Sequence, residues 1–133
     1  MTNSVANISN INAVFMLSTG RAGSGTTAHL LQQSRNMLSF PCPRPELLEE
    51  SYLVQQNRRD ASELILPKIQ AIKNIMEANY AKVKSPRIYA ETNPKLSFFS
   101  RELSKHFKAR FFWVIRDPYE YVNSGLNRGW YTG

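Results

Sequence analysis

The sequence predicts an α/β protein in which a parallel sheet is flanked by helices, and three observations carry that expectation. Two short apolar runs, residues 13–17 and 111–115, each stop at a turn-forming segment that leads into a stretch with helical character. Between them, residues 61–84 place apolar side chains at helical spacing. Strand, turn and helix in that order make half of a βαβ unit, from which parallel sheets are built.

Taken in order, Ala13-Val14-Phe15-Met16-Leu17 reads as a buried strand that ends at Ser18, Thr19 and Gly20. A helix is expected from Thr26 to about Leu38, with Leu30, Leu31 and Leu38 on its buried side. Pro41, Pro43 and Pro45 then break any regular element, and the polar stretch 46–60 reads as a surface loop with a short helix. Residues 39–86 as a whole are expected to form a loop and helical insertion. Its clearest part is the helix 61–84, with Leu64, Ile65, Ile69, Ile72, Ile75, Met76, Tyr80 and Val83 on one face. Residues 87–90 suit a short strand, Pro94 opens a helix running to about Phe107, and Phe111-Phe112-Trp113-Val114-Ile115 is the strongest strand signal. Pro118 starts a last helix to about Arg128.

The 133 residues are expected to form a single domain. A hydrophobic fraction of 42% is ordinary for a globular chain. Lys and Arg outnumber Asp and Glu by 17 to 10, and a net charge of +7 favours an anionic partner. Cys42 is the one cysteine, which excludes an intrachain disulfide and a cysteine-based metal site and suits a reducing, cytoplasmic setting. The polar start of the chain and the shortness of its apolar runs give no expectation of a membrane anchor.

Two segments carry the chemistry. The first is Gly20-Arg21-Ala22-Gly23-Ser24-Gly25-Thr26-Thr27, which joins the first strand to the first helix. Glycines let successive N–H groups converge on one anion, and the helix start adds unpaired N–H groups and the positive end of its dipole. Thr26 and Thr27 add hydroxyls, and Arg21 adds charge. The spacing from Gly20 to Gly25 outlines a Walker A loop, but Thr26 stands where a kinase or ATPase needs Lys to reach the β- and γ-phosphates. The second segment is Arg116-Asp117-Pro118 with Ser124 farther on. Arg116 falls at the carboxyl end of the strongest strand, where ligands collect in parallel sheets, and Ser124 lies about two turns into the next helix. A guanidinium and a hydroxyl converging there suit a dianionic phosphate.

Ser24-Gly25-Thr26-Thr27 resembles the core of the sulfotransferase 5′-phosphosulfate loop. Arg-Asp-Pro-x5-Ser, here Arg116 to Ser124, resembles that family's 3′-phosphate motif, with Arg128 at a further basic position. Many members carry a basic residue where this chain has Gly23, and Arg21 is the candidate to replace it. The resemblance implies a P-loop-like fold related to nucleotide kinases, in which the stretch 39–86 is variable. It also implies transfer of a sulfonate from 3′-phosphoadenosine 5′-phosphosulfate (PAPS) to a hydroxyl or amine, with release of 3′-phosphoadenosine 5′-phosphate (PAP) and no metal. Because few strands precede Gly133, the chain is expected to be an incomplete, N-terminal portion of that fold. Glu91 is expected at a strand end on the same sheet edge. Glu91-Thr92-Asn93-Pro94 resembles the Glu-Lys-Ser/Thr-Pro segment of the carbohydrate-type enzymes, which makes Glu91 the candidate general base, ahead of His29 and His106. Two other readings stand beside this one: a non-catalytic anion-binding module and a P-loop kinase-like protein. Nucleic acid is not the expected partner, because the basic residues are scattered along the chain.

Overall fold

The structure, a computed structural model, describes residues 11–19, 23–83 and 87–130. It contains four strands: β1 Asn12–Ser18, β2 Met37–Pro41, β3 Ile88–Thr92 and β4 Lys108–Val114. The helices are α1 Ser24–Gln32, α2 Leu48–Gln55, α3 Ala61–Leu64, α4 Leu66–Val83, α5 Ser100–His106 and α6 Pro118–Asn127, with a 3-10 helix over Pro94–Phe99. All strand pairs are parallel, and the order across the sheet is β2-β3-β1-β4.

That order places helices on both faces. The connection from β1 to β2 passes over β3 in one direction, and the connection from β3 to β4 passes over β1 in the other. Crossovers of one hand running opposite ways must lie on opposite faces. Accordingly α1 packs on β2 and β3, while the 3-10 helix packs on β1 and α5 on β4.

The core lies on the second of these faces. Phe15 pairs in register with Phe111, and their rings stack with centroids 5.7 Å apart. Tyr89 stands 6.2 Å from Phe15 and 5.8 Å from Phe40. Ile65, Ile69 and Ile72 close this layer together with Leu96, Phe99, Leu103 and Phe107. Full burial of a side chain such as Phe15 contributes about 1.5–3 kcal/mol. Along α4 the burial stops at Met76, and Tyr80 is exposed. Val83 gives no side-chain placement to compare.

Two expectations change. The first helix ends at Gln32 rather than near Leu38, and a strand, β2, occupies part of the stretch read as loop. Met37-Leu38-Ser39-Phe40 is too short to reveal an alternation, its one buried residue is the polar Ser39, and the proline at its end disguises it further. Pro41 is tolerated because β2 is at the sheet edge. The buried contact of α1 is Ala28, whereas Leu30 is 64% exposed. Among the described residues, no helix is long and apolar enough to cross a membrane.

Candidate anion-binding site

The loops that follow β1 and β4 leave the sheet side by side, because Ser18 lies opposite Val114 in the last register pair. Neighbouring strands are about 4.8 Å apart. The chain therefore leaves both strands at the same end of the sheet, the carboxyl ends of the central strand β1 and the edge strand β4.

Gly20, Arg21 and Ala22 lie outside the described residues. The rest of the loop is well defined in its bonding. Gly23 precedes α1 with φ of +81°, a left-handed conformation that strains any L side chain. This gives a physical reason for glycine at this position. Its carbonyl accepts the first helical bond, from the Thr27 N–H at 2.8 Å. No side chain caps the helix start. By helix geometry, the N–H groups at the start of α1 have no partner within the helix, and they point outward from its first turn. Gly25 and Thr26 are exposed, and Ser24 and Thr27 are half-buried. The loop is anchored from below, since the Thr92 hydroxyl donates to the Ser24 carbonyl at 2.8 Å.

A Cβ placed on Gly25 would meet nothing within 4 Å. Gly25→Ala should therefore leave the free protein at least as stable, because Ala gains as much as about 1 kcal/mol over Gly within a helix. If an anion seats on this backbone, the same methyl group would obstruct its approach. The expected result is an unchanged or slightly raised melting temperature together with weaker phosphate binding, read by calorimetry with PAP. A loss of stability alone would show that the glycine serves the fold.

At the second segment, Asp117 caps α6, its carboxylate accepting from the Tyr119 N–H at 2.8 Å, and Pro118 occupies the first turn. This fixes Arg116 between the end of β4 and the start of α6. Arg116, Ser124 and Arg128 line one surface concavity of about 400 Å³, together with Glu120, Asn123 and Asn127. At the far end of the helix, Gly129 with φ of +72° accompanies bonds from the Trp130 N–H to the Gly125 carbonyl and from the Gly129 N–H to the Leu126 carbonyl. These close the last turn and set the position of Arg128. Glu120 opposes anion binding, and its Oε2 stands 3.6 Å from the Arg116 Nε. Both side chains are partly exposed, so the pair is worth at most about 1 kcal/mol and yields readily to a dianion.

Glu91 is where the structure departs furthest from the sequence reading. It is the fourth residue of β3 rather than the residue after it, and its exposure is 0%. Oε1 accepts from the Lys68 Nζ at 2.8 Å and from the Asn93 Nδ2 at 2.9 Å, and Oε2 accepts from the Tyr89 hydroxyl at 2.7 Å. Both carboxylate oxygens are thus engaged by buried donors, the geometry of an anchor, and the general-base role expected of Glu91 has no exposed oxygen in this arrangement. Lys68, 1% exposed, is the partner that sequence reasoning missed. It sits one turn after Ile65 and one before Ile72, on the same apolar face, and that placement was the only signal available. Tyr89 is held protonated: burial first, then the charge and the hydrogen bond of Glu91, push its pKa well above the usual tyrosine range. His29 is exposed on α1 and His106 is half-buried at the end of α5.

Comparison of the chain with protein-family models, with curated proteins and with solved structures finds no match.

Proposed function

We propose that the chain binds PAPS and forms the nucleotide-binding portion of a sulfotransferase, in a P-loop-like arrangement and a cytoplasmic setting. The observation that carries this reading is that the two anion-suited segments follow the adjacent, parallel strands β1 and β4 at the same end of the sheet. The residues fit the two ends of the nucleotide. In this reading Gly20 to Thr27 hold the 5′-phosphosulfate against the start of α1, and Arg116 and Ser124, with Arg128, hold the 3′-phosphate. Thr26 in place of Lys argues against nucleoside triphosphate chemistry.

In the transfer, an acceptor oxygen or nitrogen forms its bond to sulfur as the bond from sulfur to the phosphate oxygen breaks. The electron pair leaves with PAP, and the charge that grows on its 5′-phosphate falls where the N–H groups of α1 can stabilise it. The acceptor's proton must go to a base other than Glu91 in this arrangement, with His29 the candidate nearest in sequence to the loop. The enclosure of Glu91 also favours a second reading, in which the chain binds the nucleotide or a similar anion without catalysing transfer.

Calorimetry distinguishes these from a kinase-like protein. PAP is expected to bind more tightly than ADP or ATP and without dependence on magnesium. Preference for ATP with magnesium would overturn the PAPS assignment. Turnover of PAPS in the presence of candidate hydroxyl and amine acceptors then separates the enzyme from the binding module.

A further inference from the structure

The buried polar groups at the end of β3 bond in two directions, and one of those directions is a loop. Lys68 uses its ammonium for Glu91 and also for the Pro43 carbonyl, at 2.8 Å each. The Asn93 amide donates to Glu91 and to the Glu46 carbonyl, the latter at 3.2 Å. The Cys42 N–H donates to the Thr92 carbonyl at 3.3 Å. Segment 42–46 is thus attached at three points, to Thr92 of β3, to Asn93 just after it and to Lys68 of α4, through groups that are almost wholly buried.

The loop needs such attachment. Cys42 and Leu47 at its two ends have φ of +43° and +64°, left-handed values that L side chains adopt only at a cost. Its own exposed side chains, Arg44 and Glu46, contribute little: the ion pair of Glu46 with Lys95 is at the surface. An ion pair serving only the core would not require its ammonium to reach a loop carbonyl on another element. Thr92, in the same short run, fixes the Ser24 backbone at the start of α1.

We propose that Lys68 and Asn93 are positioning residues: together with Glu91 they latch loop 42–47 onto the end of β3, whose Thr92 also holds the Ser24 backbone at the start of α1. Only the significance of the latch for an anion at α1 rests on the PAPS reading; the latch itself does not.

Cys42, the sole cysteine, reports on the latch directly. It is half-buried, and burial chiefly raises its thiol pKa, so alkylation of the wild-type chain by iodoacetamide is slow. Lys68→Met combined with Glu91→Gln removes both charges and leaves no unpaired buried ion, so the fold is retained while the Pro43 carbonyl loses its donor. Alkylation of that double variant is expected to be at least about tenfold faster and insensitive to low urea, the mark of local opening. Asn93→Ala, which leaves the ion pair intact, should accelerate it by a smaller factor, and serves if the double variant does not fold. Leu103→Ala weakens the core while leaving the three hydrogen-bonded attachments of the loop in place, and should speed labelling only through urea-dependent global unfolding. Wild-type labelling rates in the latch variants, or an acceleration that follows global stability alone, would overturn the proposal. Calorimetry with PAP, run alongside, separates the two ideas: absence of binding ends the nucleotide reading, while the labelling result still decides the latch.

Discussion

Glu91→Gln is expected to destabilise the protein by about 3–5 kcal/mol, because it strands the Lys68 ammonium in the core without its counter-ion. Lys68→Met should cost a similar amount by stranding the carboxylate. The combined variant should recover most of the loss, since removing a whole buried pair is far less harmful than breaking it. Urea unfolding followed by far-ultraviolet circular dichroism reads this as midpoint shifts of about 1.5–2.5 M for the single variants, taking a slope of about 2 kcal/mol/M. Additive losses in the double variant would show that the two groups do not act as a pair. The same network sets an alkaline limit. Tyr89 has a folded-state pKa above its unfolded value, so its contribution is complete below about pH 10 and declines as pH rises past that point. A Glu91→Gln variant of normal stability would instead return that carboxylate to the list of candidate bases.

Arg116→Ala is expected to weaken PAP binding by roughly tenfold to a hundredfold, the loss of a charged hydrogen-bond partner at about 1.5–3 kcal/mol. Ser124→Ala should have a smaller effect in the same direction. Adenosine 5′-phosphosulfate, which has no 3′-phosphate, provides the comparison, and its affinity should hardly change. Equal weakening of both ligands would mean that Arg116 does not read the 3′-group. Glu120→Gln should modestly strengthen PAP binding, because it removes the one negative charge lining the concavity. Arg116 is a third exposed and its ion pair with Glu120 is at the surface, so its removal should cost little stability.

Much of the candidate site was legible because its parts are local. The Asp117 cap, Pro118 at the helix start and Ser124 two turns on are properties of consecutive residues, and the structure has them as the spacing implies. Gly23 is likewise a local matter of backbone conformation. The apolar run at residues 13–17 marked the central strand β1, which is buried on both sides, and the aromatic run at 111–115 marked most of the edge strand β4, where Trp113 stays exposed.

What escaped was decided at longer range. β2 is a strand because β3 offers it an edge to pair with, and nothing within Met37–Pro41 announces this. The extension of β3 through Glu91 and Thr92 follows from pairing with both β1 and β2, which overrides the poor strand propensity of a glutamate. The sequence by itself determined the fold class, strands β1 and β4 and the two segments suited to anions, since hydrophobic period, caps and glycine conformation act over a few residues. Only the tertiary structure decided the fate of Glu91. A carboxylate is a base or an anchor according to what surrounds it, and its surroundings come from Lys68, 23 residues away on a helix across the sheet face.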